Sequence, residues 1–226
     1  MNDNQMNQMA TQAVMPSVLA TNKMLRNTYM LLATTLLFSG VTAGIAMITQ
    51  APPMHWAITM IGYFGLLFLT NALRNSVWGL AAIFALTGFM GYTLGPIISF
   101  YLHLPNGHET VMFALGGTGL IFLGLSAYAV TTKKDFSFIG GFLMVGMLVA
   151  FLAGLGAMFF HIPALSLGVS AMFILLMSGY ILFQTSLMVN GGETNYIMAT
   201  VTLYVAIYNL FLSLLQILSA LSGNRQ

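Results

Sequence analysis

Apolar residues run through this chain in long blocks, and its few charges mark where the blocks stop. The charged residues are Asp3, Lys23, Arg26, Arg74, Glu109, Lys133, Lys134, Asp135, Glu193 and Arg225. A helix crosses the hydrocarbon core of a bilayer with about 20 apolar residues. The charge-free run 27–73 holds two such spans, parted by Pro52-Pro53. The run 75–108 holds one and ends at Tyr101-Leu-His-Leu-Pro-Asn-Gly, and 110–132 holds another of minimal length. The run 136–192 again holds two, broken at His161-Ile-Pro163, and 194–224 holds the last. The pattern predicts seven helices over 28–49, 55–72, 77–101, 110–131, 137–159, 164–188 and 196–221. A membrane barrel would alternate polar and apolar positions, which these runs do not.

Composition narrows the class. Of 226 residues, 58% are hydrophobic and 4% are charged, against about 25% charged in a soluble domain. So few charges cannot clothe a water-facing surface, which excludes a soluble enzyme, a disordered chain and a coiled coil. A net charge of +2 spread over the whole length makes no basic patch, so no nucleic-acid partner is expected. The lipid bilayer is the first partner. The absence of cysteine removes disulfides, thiolate catalysis and cysteine metal sites.

The charges also orient the spans. With the N-terminus cytoplasmic, Lys23, Arg26, Arg74, Lys133 and Lys134 fall inside and only Arg225 outside, as the positive-inside rule requires. The first apolar run is too long for a cleaved signal and reads as a signal anchor. The expected organisation is a flexible cytoplasmic tail over 1–26, a seven-helix domain over 27–221 and a short external tail over 222–226. Asp3 is the only charge before Lys23, and no sustained apolar period runs through this polar stretch.

Small residues four apart (Gly40 and Gly44, Gly91 and Gly95, Ala150 and Gly154) predict close helix approach in lipid. Trp56, Trp78, Tyr101 and Tyr196 fall near predicted helix ends, where interfacial aromatics belong. The last helix is unusual. At 3.6 residues per turn, Thr200, Tyr204 and Tyr208 share one side, while Thr202, Asn209, Ser213 and Gln216 lie roughly opposite. Polar groups on both sides are costly against lipid, so this helix is expected at the centre of the bundle. Gln184, Thr185 and Ser186 add polar groups near the cytoplasmic end of the sixth. Gln184, Tyr204, Tyr208 and Asn209 are therefore the candidate polar core, as interhelical hydrogen bonding or as the lining of a polar path. Arg74, Lys133, Lys134, Asp135 and Glu193 are the candidate cytoplasmic interaction surface.

Catalytic arrangements are missing. Both aspartates, Asp3 and Asp135, lie outside the spans, and no His-Glu-x-x-His occurs for zinc. Gly168-Val-Ser170 with His161 is a weak protease-like pairing, with His161 at a helix break across a short loop. His55, His103, His108 and His161 all map to the outer side. No enzyme, cofactor or metal site is expected.

Several blocks resemble one family in sequence and order. Met24-Leu-Arg26-Asn-Thr-Tyr29 opens the first helix, and Leu94-Gly-Pro96-Ile-Ile closes the third. Lys133-Lys134-Asp135-Phe-Ser-Phe-Ile-Gly-Gly141 joins the fourth and fifth. Gly191-Gly-Glu193-Thr-Asn-Tyr196 precedes Leu203-Tyr204-Val-Ala-Ile-Tyr208-Asn209 in the seventh. Over about residues 23–221 the chain resembles the Bax inhibitor-1 family, and more closely its YccA-like bacterial inner-membrane branch. The resemblance implies seven helices with the seventh at the centre. It also implies a partner and modulator of FtsH, a membrane-anchored ATP-dependent protease.

Other members are described as pH-sensitive cation leaks for calcium or protons, with one aspartate on the sixth helix and one on the seventh. This is the alternative function. The matching positions here are Gln184 and Ala206, neither a carboxylate. Calcium takes anionic oxygen ligands, so the leak is the weaker expectation for this chain.

Overall fold

The computed structural model describes residues 18–223, and the regular structure among them is helical throughout. Seven helices are long and apolar enough to cross a membrane. They are α1 (Val18–Ile48), α2 (Trp56–Leu73), α3 (Trp78–Leu102), α4 (Gly107–Thr132), α5 (Gly140–Phe160), α6 (Pro163–Val189) and α7 (Tyr196–Gly223). A short 3-10 turn, Ser137–Ile139, leads into α5.

Six of these begin and end within a few residues of the expected positions. The first begins at Val18 rather than 28, so 18–26, expected in the flexible tail, is helical. Leu, Ala, Lys, Met and Arg in that stretch are strong helix formers, and they extend the helix without extending the apolar run. At 31 residues α1 is about 46 Å long, more than the hydrocarbon thickness. Its exposed Lys23 and Arg26 lie in the first two turns after Asn22. Residues 1–17 and Arg225, which carry the rest of the expected tail and the one external charge, lie outside the described residues.

Residues in the left-handed conformation close three helices. Gln50, Lys133 and His161 have φ near 50°, after α1, α4 and α5. The turned-back amides of Ala51 and Ile162 bond Ala46 O at 2.9 Å and Ala157 O at 3.3 Å. Pro52 and Pro163 follow directly, where a chain leaving such a cap cannot continue as helix.

Glycine sets the tightest contact. A methyl on Gly91 of α3 would collide with Ser39 O and Thr42 Oγ1 of α1, and one on Gly95 would reach Ala43 O at 2.8 Å. Gly40 and Gly44 behave otherwise, since nothing lies within 4 Å of where their Cβ would stand. Of the two glycine pairs, that of α3 faces the neighbouring helix, against Ser39, Ala43 and Ala46 of α1, and that of α1 does not. Among the larger contacts, α2 packs on α3, α5 packs on α6, and α7 packs on α1, α3, α4 and α6. Tyr204, Leu203, Leu210 and Leu215 of α7 are all fully buried.

Candidate functional site

The polar residues of α7 find partners on both sides. Near its start, Thr200 Oγ1 donates to Tyr196 O at 2.7 Å and reaches Thr28 O of α1 at 3.3 Å. One turn on, Tyr204 Oη lies 2.6 Å from Ser39 Oγ of α1 and donates to Thr87 O of α3 at 3.2 Å. Tyr208 stacks on Tyr204 with ring centroids 6.3 Å apart, and its hydroxyl stands 3.5 Å from Thr93 Oγ1 of α3. This side of α7 is stitched to α1 and α3.

The opposite side is stitched to α6. Gln216 Oε1 accepts from Ser170 Oγ at 2.7 Å, and Gln216 Nε2 donates to Ser166 Oγ. Ser170, the serine of the weak protease-like pairing, spends its proton on this contact. Ser166, Ser170, Ser213 and Gln216 border a cavity of about 380 Å³ between α5, α6 and α7. Asn209 turns back on its own helix, donating from Nδ2 to Val205 O at 2.8 Å. Gln184 stands apart: it is 4% exposed, and its Nε2 has no hydrogen-bond partner among the described residues. Of the four expected polar-core residues, the structure brings Tyr204 and Tyr208 together and leaves Asn209 and Gln184 separate. The partners Ser39, Thr87, Thr93 and Ser166 gave no periodic signal, because an isolated Ser or Thr in an apolar helix has none.

At the end of the bundle where α7 begins, three loops are tied together. Asn195 caps α7, its Oδ1 accepting from Ile197 N and Met198 N at 3.1 and 3.0 Å. Its Nδ2 donates across to Arg74 O at 3.0 Å and Asn75 Oδ1 at 2.9 Å, joining the α2–α3 loop. Glu193 Oε1 accepts from Asn195 N at 2.8 Å. From α6, Ser186 Oγ donates to Lys134 O at 3.0 Å and accepts from Phe136 N at 2.9 Å, fixing the α4–α5 loop. Arg74, Lys133, Lys134 and Asp135 are exposed on this one surface, with Glu193 half-buried beside them. The amide and hydroxyl of Ser137 hold the Asp135 carboxyl below the usual carboxylate range. Asn195 was legible as a helix start, being a capping residue before an apolar run; its reach to Arg74 was not.

Ala206 is 1% exposed and presents only a methyl group. Among the described residues no group of three His, Asp or Glu side chains could hold a metal ion.

Comparison with known proteins agrees with the sequence blocks. The family model described as "Inhibitor of apoptosis-promoting Bax1" matches residues 21–224. The chain is 50% identical over 202 residues to the Escherichia coli K12 protein named "Modulator of FtsH protease YccA", covering 89% of this chain and 92% of that one. A counterpart in another Escherichia coli strain, with the same identity and coverage, is named "Inner membrane protein YccA". An uncharacterised protein of Pseudomonas aeruginosa is 54% identical over 200 residues, covering 88% of this chain and 90% of that one. With seven helices able to span a membrane and these matches along most of its length, the chain belongs to the Bax inhibitor-1 family and is YccA-like.

Proposed function

We propose that this chain is a non-enzymatic inner-membrane protein that binds and modulates an FtsH-type ATP-dependent protease. The observation that carries the reading is the 50% identity, over nearly the full length of both chains, to a protein named for that role. In this reading the N-terminus is cytoplasmic, which the five lysines and arginines before α5 support. The surface of Arg74, Lys133, Lys134, Asp135 and Glu193 then faces the protease. Its loops are held by Asn195 and Ser186, so a partner would meet a fixed shape.

We also infer that α7 is the centre of the bundle. Contacts with four other helices and hydrogen bonds on both its sides support this. A bundle joined this way resists being pulled apart one helix at a time. Each step would strand polar groups in lipid and bring apolar surface into water. A protease that engages such a body would extract it slowly, stay occupied and turn over fewer other substrates.

The test is capture of the protease from mildly solubilised membranes, with the full chain as bait. Capture is expected, and Lys133→Glu with Lys134→Glu should weaken it without lowering the thermal stability of the bait. Failure to capture the protease in membranes that contain it would overturn the reading.

A further inference from the structure

Between α2 and α5 the side of the bundle is open. Since α2 leans on α3 and α5 on α6, the two leave a groove of about 320 Å³, floored by α6 and α7. Leu67 and Phe68 of α2 and Met147 of α5 form its walls, and Met198, Thr202 and Val205 of α7 lie along its floor. The lining is mostly apolar and rich in methionine, a side chain that adapts to flexible hydrocarbon.

Its length and its ends are informative. The groove runs from the level of Asn71 and Met198 to that of Tyr63 and Ala206, eight residues along each helix. Eight residues of helix rise about 12 Å. One leaflet of hydrocarbon is about 15 Å deep, half of a core of about 30 Å. The groove therefore has the depth of a single leaflet and stops near the middle of the membrane. Its mouth carries charge. Arg74 stands one turn beyond Asn71, and its Nη1 donates to Asn71 Oδ1 at 3.3 Å. The Arg74 backbone is fixed in turn by Asn195. A guanidinium has five donors, so this one has capacity for an oxyanion besides Asn71.

We propose that the groove is a binding site for one anionic glycerophospholipid, with an acyl chain along α7 and its phosphate on Arg74. The headgroup end is polar and positive, the shaft is apolar, and the depth is that of the leaflet on the Arg74 side. These are the three features that distinguish a lipid site from a crevice for a helix. A helix would need a groove running through both leaflets, and nothing in it would call for Arg74.

The test uses the full chain reconstituted in phosphatidylethanolamine vesicles containing a trace of phosphatidylglycerol with a photoactivatable acyl chain. A matched phosphatidylethanolamine probe is the second arm. After irradiation, label from the anionic probe is expected on Met147, Met198 and Val205, in excess over the neutral probe. Arg74→Gln changes an exposed residue and leaves the groove's lining intact. It should reduce anionic labelling about fivefold, toward the neutral level. Thr202→Trp fills the groove and should abolish labelling there while the outer face of α5 is still labelled. The proposal fails if the two probes label equally, or if Arg74→Gln changes nothing. It fails also if labelling in the groove survives Thr202→Trp.

Discussion

Tyr204 and Ser39 meet hydroxyl to hydroxyl at 2.6 Å, 165 positions apart in the chain. Each hydroxyl has one proton. Tyr204 gives its own to Thr87 O, so Ser39 is the donor between the two. One phenol thereby joins α1, α3 and α7.

That junction should be measurable. Tyr204→Phe is expected to cost about 1 kcal/mol, the scale of a buried hydrogen bond in a membrane bundle. Ser39→Ala should cost a similar amount. The double variant should cost less than the sum, in unfolding of the purified protein in detergent. Strict additivity would mean the two hydroxyls are not coupled.

The glycines of α1 and α3 should differ sharply. Gly91→Ala places a methyl against Ser39 O and Thr42 Oγ1 and should destabilise by about 1–3 kcal/mol. Gly44→Ala meets nothing within 4 Å and should be neutral or slightly stabilising. Thermal unfolding of the two variants side by side checks this, and equal effects would contradict the packing.

Asp135 sets a pH dependence. Its carboxyl is held below the usual carboxylate range by Ser137, so the folded state binds its proton more weakly than the unfolded one. The contribution to the Ser137–Ile139 turn is complete above the ordinary carboxylate value and is lost as pH falls through the lowered one. The Ser137 amide resonance should titrate with that low midpoint in the native protein and stay flat in Asp135→Asn.

Ion flux should be small. With an amide at Gln184 and a methyl at Ala206, vesicles containing the unaltered protein should pass little calcium between about pH 6 and 8. Installing Gln184→Asp together with Ala206→Asp is expected to raise the flux. A large acid-tuned flux from the unaltered protein would contradict this.

Topology is the fifth prediction. A reporter that works only outside the cytoplasm should be active when fused after Gly223 and inactive after Lys134. The reverse pattern would invert the orientation.

The spans were legible because lipid imposes a simple rule: a long apolar run with a polar break at each end. The early start of α1 was not, because Val18–Asn27 mixes polar and apolar residues and hydropathy does not register helix propensity. The two polar sides of α7 could be read from the spacing of Tyr204, Tyr208 and Gln216. Their partners could not, since Ser39 and Ser170 look like any other serine in an apolar helix. Gly40 and Gly44 show the converse. Their four-residue spacing invites a packed interface, yet only three-dimensional placement decides which small residues face a neighbour. The surface of Arg74, Lys133 and Lys134 was readable as charge, while the asparagine and serine that fasten its loops were not.

The ties to α7 also bear on how the protein is made. Ser39 on α1 and Ser166 and Ser170 on α6 find these partners on a helix that is synthesised after them. Until then these hydroxyls must turn back on their own helices or meet lipid. A chain stalled before Tyr196 would hold α1 to α6 without the helix that pairs these hydroxyls. Membrane surveillance would meet such nascent chains while their polar seams were still open, and the arrival of α7 would hide those seams.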